Sequence, residues 1–343
     1  MESEPKTRIV NFFKAHPILL LLVLTPGIPE YLSGSSALNG IILNPGWFVF
    51  GLAANLGLYG PGVLLIREAK VRWQKGWATV LLLGAAYGIL EEGVALSTLF
   101  NPKAGPVGQL GFYGHWLGVN WIWLAGILSV HMIFSISLPI LLLGLALPET
   151  NGKSLLKTSR SIKTAFGILS LDVFLLSLLI YFGEHFWMGV PVLLASFAAI
   201  ASLVYIARKV PTNVLSPKKL FPTKSPLWAG TVGALFYPSV LLAEFFPMGS
   251  KLPALIDFPL VILVQLLYLF LVLRIIGRSN NERNLIAFAA GLIVPIALFG
   301  VISEIELPLS LSAVIIAIVL LRMLWRKYPK PQETLEGFQT PLQ

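Results

Sequence analysis

Met188-Gly-Val-Pro-Val-Leu-Leu-Ala-Ser-Phe-Ala-Ala-Ile-Ala-Ser-Leu-Val-Tyr-Ile-Ala207 carries no charge and then meets Arg208-Lys209. A helix needs about 20 apolar residues, at roughly 1.5 Å each, to cross the hydrocarbon core of a bilayer. A charge-free run of that length, stopped by two cations, reads as a transmembrane helix ending at a membrane surface. Nine other stretches read the same way: 17–33, 46–66, 77–100, 117–147, 164–183, 227–247, 255–276, 285–303 and 307–325. The first is interrupted by Thr25-Pro26-Gly27-Ile28-Pro29 and reads as a broken or re-entrant segment. The expected fold is all-α: a single transmembrane helical domain, 1–327, of about ten helices.

Composition points the same way. The chain is 56% apolar and 12% charged, with a mean hydropathy of +0.81. Soluble domains carry about 25% charged residues. No aqueous fold of 343 residues could hide this much apolar surface, so lipid must cover the excess and the bilayer is the expected partner. The net charge of +9 sits in short tracts between apolar runs and forms no basic face with interleaved aromatics, so nucleic acid is not expected as a partner. With no cysteine, disulfides, thiolate metal sites and a cysteine nucleophile are excluded. The apolar run after Lys14 lacks a small-residue cleavage site and reads as a retained helix.

Orientation follows from the cations. With the N-terminus in the cytoplasm, alternate connecting segments hold 23 of the 25 lysines and arginines, leaving Lys103 and Lys251 outside. Such a bias is the positive-inside signature. It places both termini inside and the loops 101–115, 248–254 and 304–306 outside, in a prokaryotic cell membrane. The polar tail 328–343 reads as disordered.

Against this apolar background, buried ionisable residues stand out. A lone charge at mid-bilayer costs at least about 2.5–3.5 kcal/mol, so such groups are paired or functional. Glu91-Glu92 lies within Tyr87-Gly-Ile-Leu-Glu-Glu-Gly-Val-Ala95, about nine residues, or ~13 Å, from the predicted outer end at Phe100. Adjacent residues diverge by about 100° on a helix, so both carboxylates are not expected to face one groove equally. Two carboxylates so close in a low dielectric would share a proton, which suits acid/base work; a structural pair bonded to other helices fits equally. His131 falls at similar depth on the next span, taken to begin near Leu124, with Asn120, Ile127, Ser135 and Leu138 on its face. Pro139 cannot donate to the Ser135 carbonyl, which predicts a kink.

Glu91, Glu92 and His131 are therefore the catalytic candidates. His115, Trp116, Asn120, Trp123 and Ser135 are candidates for binding substrate. Trp116, Trp121 and Trp123 are expected at the outer interface. Further polar groups gather on the outer side: Glu30, His115, Glu184, His185, Glu244, Asp257, Glu304 and Glu306. Asp172 is another deep charge. This acidic outer side could attract cations or hold a divalent metal through Glu91, Glu92, His115 and His131, but no close-spaced ligand motif of the HExxH kind occurs, so neither metal nor cofactor is assigned.

Glu91-Glu92, then His131 in Ile127-Leu-Ser-Val-His131 and then His185 resemble the motifs of the CPBP family of membrane-embedded proteases, which includes the CAAX prenyl-endopeptidases. That family shows Glu-Glu-x-x-x-Arg, Phe-x-x-x-His and His-x-x-x-Asn/Asp. Here Leu96 stands at the arginine position, Ile127 at the phenylalanine and Gly189 at the final Asn/Asp. The resemblance implies that glutamate and histidine activate a water for hydrolysis of a peptide or lipid-like substrate. A secondary transporter is the competing expectation, drawn from Thr25–Pro29, Tyr59-Gly-Pro-Gly62 and Gly291…Pro295 as helix breaks, with the glutamate pair as coupling site. A faint likeness between Trp77…Glu91 and Trp228…Glu244 hints at duplication. A non-catalytic accessory protein is the third.

Overall fold

The structure, a computed structural model, describes residues 11–36, 40–212, 214, 225–276, 281–303 and 308–328. Among these the long helices are α1 (Pro17–Leu32), α2 (Pro45–Arg72), α3 (Trp77–Ala95), α4 (Trp121–Ala146), α5 (Ser159–Glu184), α6 (Val190–Lys209), α7 (Pro226–Gly249), α8 (Ala254–Ile276), α9 (Glu282–Ser303) and α10 (Pro308–Lys327). The all-α class is as expected. Eight of them, α2 to α9, are long and apolar enough to cross a membrane. The expected outer loop 304–306, the extreme N-terminus and nearly all of the tail lie outside the described residues.

Local chemistry sets several helix starts. Proline occupies the first turn of α1, α2, α6 and α7, where its missing N–H costs nothing. Asn44 caps α2 by accepting from the Trp47 amide at 3.3 Å, and Ser225 caps α7 through Trp228 at 3.2 Å. Thr158 and Ser161 form a reciprocal capping box on α5.

Three helices change pitch. α1 passes from α to π geometry at Gly27–Leu32, α3 at Ile89–Ala95, and α4 over His131–Ser137 before returning to α at Leu138. α1 is thus continuous across Thr25–Pro29 and not broken there. Tyr59–Gly62 and Gly291–Pro295 also remain inside α2 and α9.

The C-terminal end of α3 differs from expectation in a way that matters for the site. The helix stops at Ala95, four residues beyond Glu91, and not at Phe100. Ser97 takes a left-handed φ of 58°, and the chain folds back over the helix end in turns between Ser97 and Asn101. Segment 96–120 then forms a cap. It contains a short helix, Leu110–Tyr113, and a two-stranded hairpin, β1 (His115–Trp116) and β2 (Val119–Asn120). α4 begins at Trp121, so Asn120 is in the hairpin and not on the α4 face where the sequence placed it.

α4 is the central helix, packed on α3, α7, α8 and α9. α7 and α9 cross closely because glycine lines their contact: a Cβ on Gly233 would strike the Phe288 carbonyl, and one on Gly291 the Gly230 carbonyl. α5 packs on α2 and on the π turn of α3, and α6 packs on α3. The outward faces of both are apolar, with Phe166, Phe182, Leu194 and Tyr205 exposed. Such surface fits a membrane-embedded face better than one bathed in water. Between α5 and α6 a groove of 930 Å³ runs down to Leu90 and Val94 of the α3 π turn.

Candidate functional site

The three π turns converge on one polar centre. Glu91, Glu92 and His131 are 2%, 6% and 3% exposed. The His131 ring inserts between the two carboxylates: Nε2 lies 2.9 Å from Glu92 Oε1, and Nδ1 lies 3.2 Å from Glu91 Oε2 and 3.0 Å from Ser135 Oγ. Both carboxylates therefore address one group, contrary to the expectation from regular helix geometry. The wider π turn brings the adjacent residues nearer one face, and the imidazole supplies a contact point on each side. π turns inside α-helices are frequent at functional sites.

A wider shell holds this centre. Thr98, on the turn after α3, donates to a Glu92 carboxylate oxygen and receives the Trp123 indole N–H at 3.2 Å. Asn120, fully buried, donates to the carbonyls of Thr98 at 2.6 Å and Asn101 at 3.1 Å, and pairs with His115 Nδ1 at 2.6 Å. Asn120 thus ties the two ends of the cap together, and Thr98 joins the cap to Glu92. On the other side, Tyr59 of α2 donates to Glu30 Oε1 at 2.6 Å, and its ring lies 6.5 Å from that of His131. Tyr87, one turn before Glu91, presents its ring 6.1 Å from the imidazole.

Sequence reasoning found the central trio and Ser135. It missed Thr98, Tyr59 and Tyr87, whose only signal was a polar group near a helix end or beside a glycine. His115, Trp116 and Asn120 belong to the cap and do not touch the central trio. Trp116 stacks on Trp121 at 5.8 Å, and both rings meet Phe258 of α8 edge-on. Trp123 reaches the centre through Thr98. Tyr113 ties the cap to the α7–α8 connection by donating to the Leu252 carbonyl at 2.8 Å, and burial together with Asp257 pushes its hydroxyl up to about 12. His185 is exposed at the C-cap of α5 and does not join the trio, while Glu184 accepts from Asn101 at 2.7 Å. Asp172 faces Gly57 of α2, where a Cβ would crowd its carboxylate. Glu244 sits against Gly126, on the side of α4 away from His131.

Among the described residues Tyr87 Oη has no hydrogen-bond partner, and Glu91 Oε2 meets the His131 ring at 3.2 Å with no further donor. The Tyr87 hydroxyl is thus a donor beside the trio. The imidazole between two carboxylates can pass a proton from one to the other. One ligating atom from each of Glu91, Glu92 and His131 falls within 4.8 Å of the others, close enough for all three to hold one divalent cation. No protein-family model, curated protein or solved structure matches the chain.

Proposed function

We propose that the protein is an intramembrane hydrolase with Glu91, Glu92 and His131 as its catalytic centre, acting on a peptide or lipid-like substrate. The observation that carries the reading is a buried imidazole held between two carboxylates, with the unpartnered Tyr87 hydroxyl beside it. Glu91 takes a proton from a water as it attacks. The water oxygen bonds to the substrate's acyl carbon, and the acyl bond to the leaving nitrogen or oxygen breaks. The proton reaches that leaving atom through His131, whose ring Glu92 fixes through Nε2. The Tyr87 hydroxyl is the available donor to the oxygen that becomes negative. The α5–α6 groove admits the hydrocarbon part of the substrate from the bilayer, because its floor residues Leu90 and Val94 flank the glutamates. The resemblance to CPBP proteases supports the reading through the Glu-Glu pair and His131 alone. The chain would cross a prokaryotic cell membrane ten times, with both termini in the cytoplasm, as the distribution of 23 cations against two favours.

The test is turnover in proteoliposomes containing transmembrane peptides or a lipid extract, in water enriched in heavy oxygen. One heavy oxygen should enter the product, and Glu91→Gln should lower the rate by at least about 100-fold. Product formation independent of Glu91, or no labelled product from either substrate class, would refute it.

A second reading, proton-coupled transport, draws on the row of protonatable side chains Glu30, Tyr59, Tyr87, Glu91, His131 and Glu92 across α1 to α4. It requires Glu91-dependent proton flux in sealed vesicles, which a hydrolase lacks.

A further inference from the structure

At the opposite end of the bundle, where the basic connecting segments gather, α2, α3, α4 and α9 enclose a second cavity of 520 Å³. Its inner wall is apolar, formed by Ile140, Leu141 and Leu145 of α4 and Leu285 of α9. Its polar lining is unbalanced. Arg67, Lys70 and Lys75 face it, with the exposed Glu282 as the acid on the lining.

Arg67 is 4% exposed, and its guanidinium donates to the Thr150 carbonyl at 2.6 Å. Its neighbour Glu68 approaches at 3.4 Å but is already committed elsewhere. The Glu68 carboxylate also takes Arg72 Nε at 3.2 Å, the Leu155 and Leu156 amides at 2.6 and 3.2 Å, and the Ser154 hydroxyl. Lys70 Nζ lies 3.9 Å over the Trp77 ring, and among the described residues it meets no carboxylate. Lys75 Nζ donates to the Val210 carbonyl at 2.9 Å, a neutral partner. Arg67 thus shares Glu68 with four other donors, and the half-buried Lys70 and Lys75 meet a ring and a carbonyl, so the lining holds more positive charge than its acids offset.

We propose that this cavity binds the phosphate of an anionic phospholipid from the adjacent leaflet. Arginine offers a planar fork of donors and lysine a mobile point charge, the pairing that suits a phosphate ester. The apolar wall beside them matches the glycerol and first methylenes of an acyl chain. Basic pockets between helices at a membrane surface recognise lipid headgroups on this principle. Free phosphate shares the charge but has no use for the wall.

Binding of soluble dihexanoyl-phosphatidylglycerol, inorganic phosphate and dihexanoyl-glycerol to the delipidated full chain in detergent tests the proposal. Phosphatidylglycerol should bind and raise the melting temperature, and Lys70→Gln should weaken it at least about tenfold, while Lys251→Gln at the other end changes nothing. Among the described residues Lys70 Nζ has the ring as its contact, so its variant should fold; should it not, Lys75→Gln gives the same reading. Phosphate competing at higher concentration supports a lipid phosphate. Phosphate binding as tightly as the lipid would overturn the lipid assignment. Equal binding of the phosphate-free diacylglycerol, or an unchanged affinity in Lys70→Gln, would overturn the site.

Discussion

Glu92→Gln keeps the shape of the side chain and removes its charge. In the structure the substituted group loses the charged contact to His131 at 2.9 Å but keeps Thr98 as partner. Hydrogen bonds to charged groups contribute about 1.5–3 kcal/mol, which sets the expected loss of stability. His131→Gln is worse, because it takes the shared partner from two buried carboxylates at once; removing one side of a buried ion pair costs about 3–5 kcal/mol. Once His131 is gone, however, Glu92 has no imidazole left to lose. The double variant should therefore cost about what His131→Gln costs alone, giving a coupling of about 1.5–3 kcal/mol. Reversible unfolding in mixed micelles, followed by helical circular dichroism for all four proteins, yields the cycle. Effects that add within about 0.5 kcal/mol would show that the two residues act independently. That result would remove the basis for treating Glu91, Glu92 and His131 as one centre.

Gly233→Ala and Gly291→Ala each drive a methyl into a backbone carbonyl of the facing helix, so each should destabilise the α7–α9 pair by about 1–3 kcal/mol, read by the same unfolding assay. Trp123→Phe removes the indole donor to Thr98, costing about 1 kcal/mol and lowering any Glu92-dependent activity without unfolding the cap. Since the chain has no cysteine, a cysteine at Ser250 should react with an impermeant thiol reagent on intact cells and one at the exposed Lys157 should not; the reverse pattern would invert the topology. Lipid-attached quenchers of graded depth should quench Trp116 and Trp121 most from shallow positions.

The helices were legible because lipid imposes a strict length and composition on any segment that crosses it, and α6 shows this in twenty consecutive residues. The trio was legible because ionisable groups are costly in such a setting. Three things were not. The end of α3 at Ala95 was hidden because Leu96 to Phe100 are as apolar as a helix; they are apolar because the cap folds them inward, with Leu99 1% exposed. Asn120 fits the helical spacing of His131 by number, yet Gly118 at φ 75° and Leu117 at φ 50° turn the chain into a hairpin first. The meeting of Glu91 and Glu92 on one ring needed a change of helical pitch, and hydropathy carries no trace of pitch. Thr98 shows the same limit: a threonine six residues after Glu92 becomes its partner only because the chain reverses between them.

That change of pitch makes the centre depend on residue count as well as residue identity. An α-helix advances about 100° per residue, so deleting one residue from Ile89–Ala95 would swing everything beyond it by that angle and part Thr98 from Glu92. A deletion within His131–Ser137 would likewise twist one half of α4 against the other. Glu91, Glu92 and His131 could all persist in such a chain with their geometry gone. Among homologous sequences the functional boundary would then be drawn by single-codon insertions and deletions, and a comparison that tallies matching letters while tolerating gaps would pass over it.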